Sequence, residues 1–195
     1  EIDTSILFIY SSSDKAYGEV KNRNYLENDN LSSVYPYDLS KTCSDLICQS
    51  YFAVYKLNVA IVRCGNLFGP GDFNLNRIIP ETIISLINNK RIKIRSSGKL
   101  VRDYLYVDDA VNAYYMIMKT LEKYKNKKLL IYNVGSKYNL SVLQLVNLIL
   151  DLMKKKHLKP IIMNKSKQEI NFQKLNDTKI KSCLLYTSPS PRDVL

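Results

Sequence analysis

A short apolar run, Ile6 to Tyr10 (ILFIY), stops abruptly at Ser11-Ser12-Ser13-Asp14, and a second such run, Val59 to Arg63 (VAIVR), follows with a helical pattern between them. Unbroken runs of β-forming residues describe strands buried on both faces, the condition of a parallel sheet. Parallel neighbours need a long crossover, usually a helix, rather than a tight turn. Residues 17 to 35 are polar and rich in Asn, which predicts a loop. Pro36 then suits a first helical turn, and Leu39, Cys43, Leu46, Ile47, Tyr51 and Val54 recur at three- and four-residue spacing. That spacing predicts an amphipathic helix from about Pro36 to Tyr55. Strand, helix, strand in this order predicts an α/β fold, whose ligands lie at the carboxyl ends of the strands. Ser11 to Asp14 stand at such an end.

The segment Cys64 to Phe73, with Gly65, Gly69, Pro70 and Gly71, reads as a loop, Ile78 to Asn88 as a helix and Ile92 to Arg95 as a short strand. Asp108 or Asp109 is expected to cap a helix over Ala110 to Leu121. Leu130 to Val134 reads as a strand ending at Gly135, and Ser141 as the cap of a helix over Val142 to Met153. Periodicity weakens beyond Lys154.

The formal charge of +11 raises nucleic acid as a partner until its location is considered. Between Lys119 and Lys181 fifteen lysines face only Glu122, Asp151, Glu169 and Asp177, a surplus of eleven that equals the whole net charge. This stretch contains no arginine, the residue whose planar fork suits phosphate, so a solvated surface is expected rather than a nucleic-acid site. No stretch of about 18 uncharged apolar residues occurs, and no membrane partner is expected. Cys43, Cys48, Cys64 and Cys183 form no CxxC pair, and His157 has no companion ligands, so neither a metal nor a disulfide framework is expected. Cys43 and Cys48 are read as packing residues, and a cytoplasmic setting fits best.

Tyr37-Asp38-Leu39-Ser40-Lys41 places a phenol and an ammonium one turn apart on one helix face. A phenol with a pKa near 10 becomes a usable base when a neighbouring cation favours its phenolate. Alone, this spacing fits a surface Tyr–Lys pair equally well. In combination with the upstream strand end it is more specific: "SSSDKAYG" (Ser11 to Gly18) followed by "YPYDLSK" (Tyr35 to Lys41) resembles the catalytic strand and helix of extended short-chain dehydrogenases, the NAD-dependent epimerase/dehydratase family acting on nucleotide sugars. "RCGNLFGPGD" (Arg63 to Asp72), "VRDYLYVDDA" (Val101 to Ala110) and "NVGS" (Asn133 to Ser136) look like further parts of that family.

The resemblance implies a Rossmann-like, doubly wound parallel sheet with a smaller substrate-binding region. Residues 1–67 would be the later part of the NAD-binding core, 68–153 the substrate region interleaved with the return to the core, and 154–181 a basic segment. Ser182 to Leu195 looks like read-through of non-native sequence. The glycine-rich dinucleotide turn does not occur in this chain, so strands preceding Ile6 are expected to be missing, leaving an apolar sheet edge open. The absent turn also leaves NAD against NADP undecided.

By resemblance Ser13, Tyr37 and Lys41 are the catalytic serine, base and supporting lysine. Ser11, Tyr37, Lys41 and Arg63 would meet NAD, and Asn66 and Arg102, with Arg77 and Arg95, would hold a nucleotide sugar. Asp14-Lys15 places an acid and a base immediately after the catalytic serine. That order resembles nucleotide-sugar 4,6-dehydratases, CDP-glucose 4,6-dehydratases and their relatives in particular, which eliminate water across C5 and C6 of a 4-keto sugar. Which of Asp14 and Lys15 is acid and which base stays open. The alternatives are a 4-epimerase or reductase and, in another class, a non-catalytic scaffold. The full-length relative is expected to be a homodimer.

Overall fold

The computed structural model describes residues 3, 5–20, 23–124, 127–165 and 169–184. The expected foreign tail lies outside the described residues from 185 onward.

Strand β1 (Leu7–Ser13) runs on from the apolar stretch through its serines, and the predicted helix α1 (Pro36–Tyr55) crosses to β2 (Asn58–Cys64). Proline at the start of α1 gives up an N–H that no preceding turn could satisfy. β1 lies parallel to β2, with Leu7 opposite Asn58 and Ser13 opposite Cys64. On its other side β2 pairs in parallel with β7 (Leu129–Val134). β2 is thus the middle strand, buried at every residue.

Its two faces serve two layers, because alternate strand residues point to opposite sides. Val59 and Ile61 pack with Cys48 and Phe52 of α1. Ala60, Val62 and Cys64 pack with Ala110, Ala113, Ile117 and Leu121 of α3 (Val107–Lys123) and with Ile180 and Leu184 of α5 (Thr178–Leu184). The sheet is therefore covered on both faces, as the doubly wound expectation requires. Helix α5 carries Ser182, Cys183 and a buried Leu184, so packing that belongs to the core extends past the expected boundary at Ser182. β1 forms the open edge, with Ile6, Leu7 and Phe8 exposed.

A second core gathers α2 (Ile78–Ile87), β4 (Lys93–Ile94) and α4 (Val142–Leu152) through Leu86, Ile92, Ile94, Val146 and Leu150. Ser141 caps α4 in a reciprocal box with Gln144, as its position predicted. α3 begins at Val107, so Asp108 and Asp109 lie within its first turn rather than capping it, where carboxylates complement the helix dipole. The expected loop after Cys64 contains β3 (Asn66–Phe68), parallel to β6 (Tyr104–Tyr106). β5 (Val101–Arg102) pairs antiparallel with β8 (Leu140–Ser141), and β4 pairs with β9 (Ile161–Ile162).

Asp103 joins the two halves. Its carboxylate accepts from Ser136 N at 2.7 Å and Leu175 N at 3.1 Å, and Lys174 Nζ lies 3.4 Å away. Glycine at position 65 permits this approach, since a Cβ there would stand 2.8 Å from Asp103 Cβ.

Candidate active site

Under the carboxyl ends of the strands lies a buried polar network. Asp45, on the inner face of α1, accepts from Ser12 Oγ at 2.8 Å and from Arg63 Nε and Nη2, each at 2.9 Å. Arg63 Nη1 donates to Tyr17 Oη and to Glu27 O, both at 2.9 Å, and Tyr17 Oη donates to Asn133 Oδ1 at 2.7 Å. This arrangement locks α1, β1, β2 and β7 in register. Arg63 is 1% exposed and its side-chain donors point inward, so in this arrangement it forms part of the support beneath the strand ends.

Above this support the backbone turns through a 3-10 helix, Asp14–Tyr17, which the sequence reading did not foresee. Ser13 Oγ starts it by accepting from Lys15 N at 3.2 Å, and donates to Asp14 Oδ1 at 3.0 Å. The turn draws Asp14 inward until it is 1% exposed, and Oδ2 has no hydrogen-bond partner among the described residues. Burial away from water penalises the charged carboxylate and pushes its pKa up to about 6, against the opposing pull of the Lys15 ammonium. Lys15 Nζ donates to Gln173 Oε1 at 2.8 Å.

Helix α1 is pinned to this turn by Thr42 Oγ1, which donates to Ala16 O at 2.9 Å. One residue earlier, Lys41 Nζ donates to Ser11 O at 3.2 Å and sits 5.7 Å from the centre of the Tyr10 ring. Tyr37 stands 62% exposed at the start of the helix. Asp38 between them is buried, and burial raises its pKa. Ser11, Ser13, Asp14, Lys15, Tyr37 and Lys41 are thus gathered around one strand end and one helix start. On the helix this sets a phenol one turn before an ammonium, and at the strand end a protonatable buried acid stands next in sequence to an amine.

The remaining predicted residues line a separate cleft of about 330 Å³, which contains Asn66, Arg77, Arg95 and Arg102 together with Phe68 and Tyr104. Its size is that of a small-ligand pocket. Asn66 follows β2 directly and so connects the cleft to the strand end, its Nδ2 donating to Asp103 O at 3.3 Å. Each arginine already holds a carboxylate: Arg77 with Asp72 at 2.8 Å, Arg95 with Glu81 at 3.2 Å and Arg102 with Glu169 at 3.1 Å. The Arg77 and Arg95 pairs are at least partly exposed and worth little, about 0–1 kcal/mol, so a phosphate could take their place at small cost, whereas Arg102 is itself buried. Arg102 is the best anchored, its Nη1 also donating to Val101 O and Ile170 O.

Sequence reasoning missed Asp45, Tyr17, Asn133 and Gln173. All four act through contacts between segments far apart in the chain; Tyr17 and Asn133 stand within the quoted SSSDKAYG and NVGS runs, but nothing local in those runs says that they meet each other and Arg63.

Comparison with known proteins agrees with this geometry. The NAD dependent epimerase/dehydratase family matches residues 3–135. The dTDP-D-glucose 4,6-dehydratase of Homo sapiens is 34% identical over 147 residues, covering 75% of this chain and 40% of the human protein. A crystal structure of a dTDP-glucose 4,6-dehydratase from Streptomyces venezuelae, with NAD bound, superposes with a TM-score of 0.84 at 25% identity, covering 95% of this chain and 56% of that one. A UDP-glucose 4-epimerase from Thermotoga maritima shares the fold, with a TM-score of 0.81 at 24% identity over 92% of this chain and 57% of the other. The chain spans about two fifths of the length of the human relative.

Proposed function

The chain belongs to the NAD dependent epimerase/dehydratase family, and we propose that the gene product carrying it is an NAD-dependent nucleotide-sugar 4,6-dehydratase. The observation that carries this reading is Asp14, a buried carboxyl with an unpartnered oxygen and a pKa raised to about 6, set between Ser13 and Lys15. An epimerase has no step that needs an acid and a base side by side here, whereas elimination needs both.

What NAD supplies when bound is hydride chemistry, acceptance from C4 of the sugar and return at C6. The residues at the strand end fit its nicotinamide ribose: Lys41 has one described hydrogen bond, to Ser11 O, and Tyr37 is open beside it. Tyr37 removes the C4 hydroxyl proton with Ser13 hydrogen-bonded to the same oxygen, and the Lys41 charge favours the phenolate. Lys15 takes the C5 proton and Asp14 protonates the departing C6 hydroxyl. The division follows from Asp14, since a carboxyl buried in neutral form is a proton donor; Lys15 takes the C5 proton as the free amine, with an N–H still donated to Gln173 Oε1. Arg102, with Arg77 and Arg95, would hold the diphosphate of the nucleotide, and Asn66 the sugar side of it.

The test is product mass. Incubation of the gene product with NAD and CDP-glucose, dTDP-glucose or UDP-N-acetylglucosamine is expected to give loss of one water from one of these donors. Unchanged mass with an inverted C4 centre would make the protein an epimerase instead.

Asp14 adds a pH signature. Its proton is present below about 6, so kcat/KM is expected to fall as pH rises through that value, and Asp14→Asn should remove this limb along with about a hundredfold or more of the rate. The linkage has the same sign. Between pH 3.8 and about 6 the folded state holds a proton that the unfolded state has released, so stability present at low pH is lost as pH rises. Asp14→Asn should therefore raise Tm at pH 7 to 8 while abolishing turnover. A fall in Tm there, with the limb intact, would remove Asp14 from the acid role.

A homodimer accompanies this reading. Leu39, Leu46, Ile47 and Val54 of α1 are exposed, an apolar helix surface that a second copy could cover. Sedimentation equilibrium of the gene product should give twice the chain mass, and a monomer at micromolar concentration would refute it. No helix among the described residues is long and apolar enough to cross a membrane. The four free thiols support a cytoplasmic setting.

A further inference from the structure

Gln173 is fully buried and lies 158 residues from Lys15 in the chain, yet its Oε1 accepts the Lys15 ammonium at 2.8 Å. The orientation of this amide is not arbitrary. A lysine ammonium only donates, so the carbonyl must face it and the NH2 must point away. Nε2 is then buried with no hydrogen-bond partner among the described residues, as is Oδ2 of the neighbouring Asp14. Leaving a buried polar atom unpaired costs about 1–3 kcal/mol, and two such atoms around one amine mark a place built for a polar ligand.

The backbone that carries Gln173 is held on both sides. Gln173 N donates to Val101 O at 3.1 Å, Val101 N donates to Asn171 O at 2.9 Å, and Leu175 N donates to Asp103 at 3.1 Å. The side chain therefore projects from a fixed base, coupled through Val101 to the strand that bears Arg102.

We infer that Gln173 is a positioning residue for the elimination step: it holds Lys15 against C5 of the sugar through Oε1, and it offers Nε2 to a sugar hydroxyl. The inference rests on the dehydratase reading above. In that step Lys15 acts as the free amine, having released a proton to solvent beforehand while keeping an N–H on Gln173 Oε1: the C5–H proton passes to the lone pair of Nζ, the C5–H electron pair forms the C5–C6 double bond, and the C6–O bond breaks as the oxygen takes the proton of Asp14 and leaves as water. Oxidation at C4 precedes this and does not involve Lys15.

Gln173→Met in the gene product should lower the rate of water loss about a hundredfold, the penalty of a misplaced catalytic group, with KM changed less than threefold. C4 oxidation should continue, so that the absorbance of reduced nicotinamide builds up during turnover where the wild type shows little. Gln173→Glu, which keeps the acceptor, should recover part of the rate. If Gln173→Met lowers the yield of folded protein, Gln173→Asn, whose carbonyl is one methylene short of Lys15, carries the same expectation. Equal slowing of oxidation and water loss would assign Gln173 a structural role and overturn the inference, as would unchanged kinetics. Failure of the wild type itself to release water would overturn the dehydratase reading, and this inference with it, and is told apart by being seen before any substitution is made.

Discussion

Tyr37→Phe is expected to reduce turnover of the nucleotide sugar by about 10²- to 10⁴-fold, the usual range for loss of a positioned acid–base group, while leaving the fold intact. The second half of that expectation follows from position. Tyr37 is 62% exposed at the first turn of α1, and no described hydrogen bond of the fold uses its hydroxyl. Surface changes of this kind stay within about 0.5 kcal/mol of the parent. The internal control is on the same helix: Tyr51 and Tyr55 are also exposed, with ring centres 5.3 Å apart, and lie two turns or more from the strand end. Tyr51→Phe should be silent. Binding of the nucleotide sugar, measured by calorimetry on the variant, should also persist, because the arginines lie in the separate cleft. Turnover of Tyr37→Phe within threefold of the wild type would reduce the Tyr37–Lys41 spacing to a coincidence of a tyrosine-rich chain.

The parts of the fold that were legible in the sequence are those set by local periodicity. VAIVR could only be a strand buried on both faces, and it is the central one. Pro36 and the apolar positions after it could only start and sustain a helix, and Ser141 announced a cap, to which the structure adds Gln144. The candidate cluster could be proposed from the sequence because its members come in two short runs, each at the end of an element. The support beneath it was not. Arg63 interrupts an otherwise apolar strand, which signals that a buried carboxylate must exist, but nothing in the spacing says that Asp45, rather than Asp38 or Glu27, is that partner. Gln173 was harder still, since it acts across 158 residues on a segment with no periodicity.

That hidden support predicts the largest loss of stability. Arg63 and Asp45 have side chains 2% and 0% exposed and meet through two bonds of 2.9 Å. Asp45 also accepts from Ser12 Oγ and from Gln49 Nε2, each at 2.8 Å, so its carboxylate joins β1 and β2 to α1. Removing one partner leaves a buried charge uncompensated, and Asp45→Ala is expected to destabilise the gene product by about 3–5 kcal/mol, read as a shift of the urea midpoint at constant slope. Replacing both, as Asp45→Leu with Arg63→Met, should recover most of that loss, because a buried pair is worth little against apolar groups of similar volume. Catalysis should not recover with it. Ser12 would have lost its acceptor and Tyr17 its guanidinium donor, and the strand end that carries Ser13 and Asp14 would no longer be tied to the helix that carries Tyr37. A stable but inactive double variant would show that the pair serves register rather than stability. A single Asp45→Ala variant within 1 kcal/mol of the parent would instead mean that water reaches Arg63, and that the site rests on something other than this network.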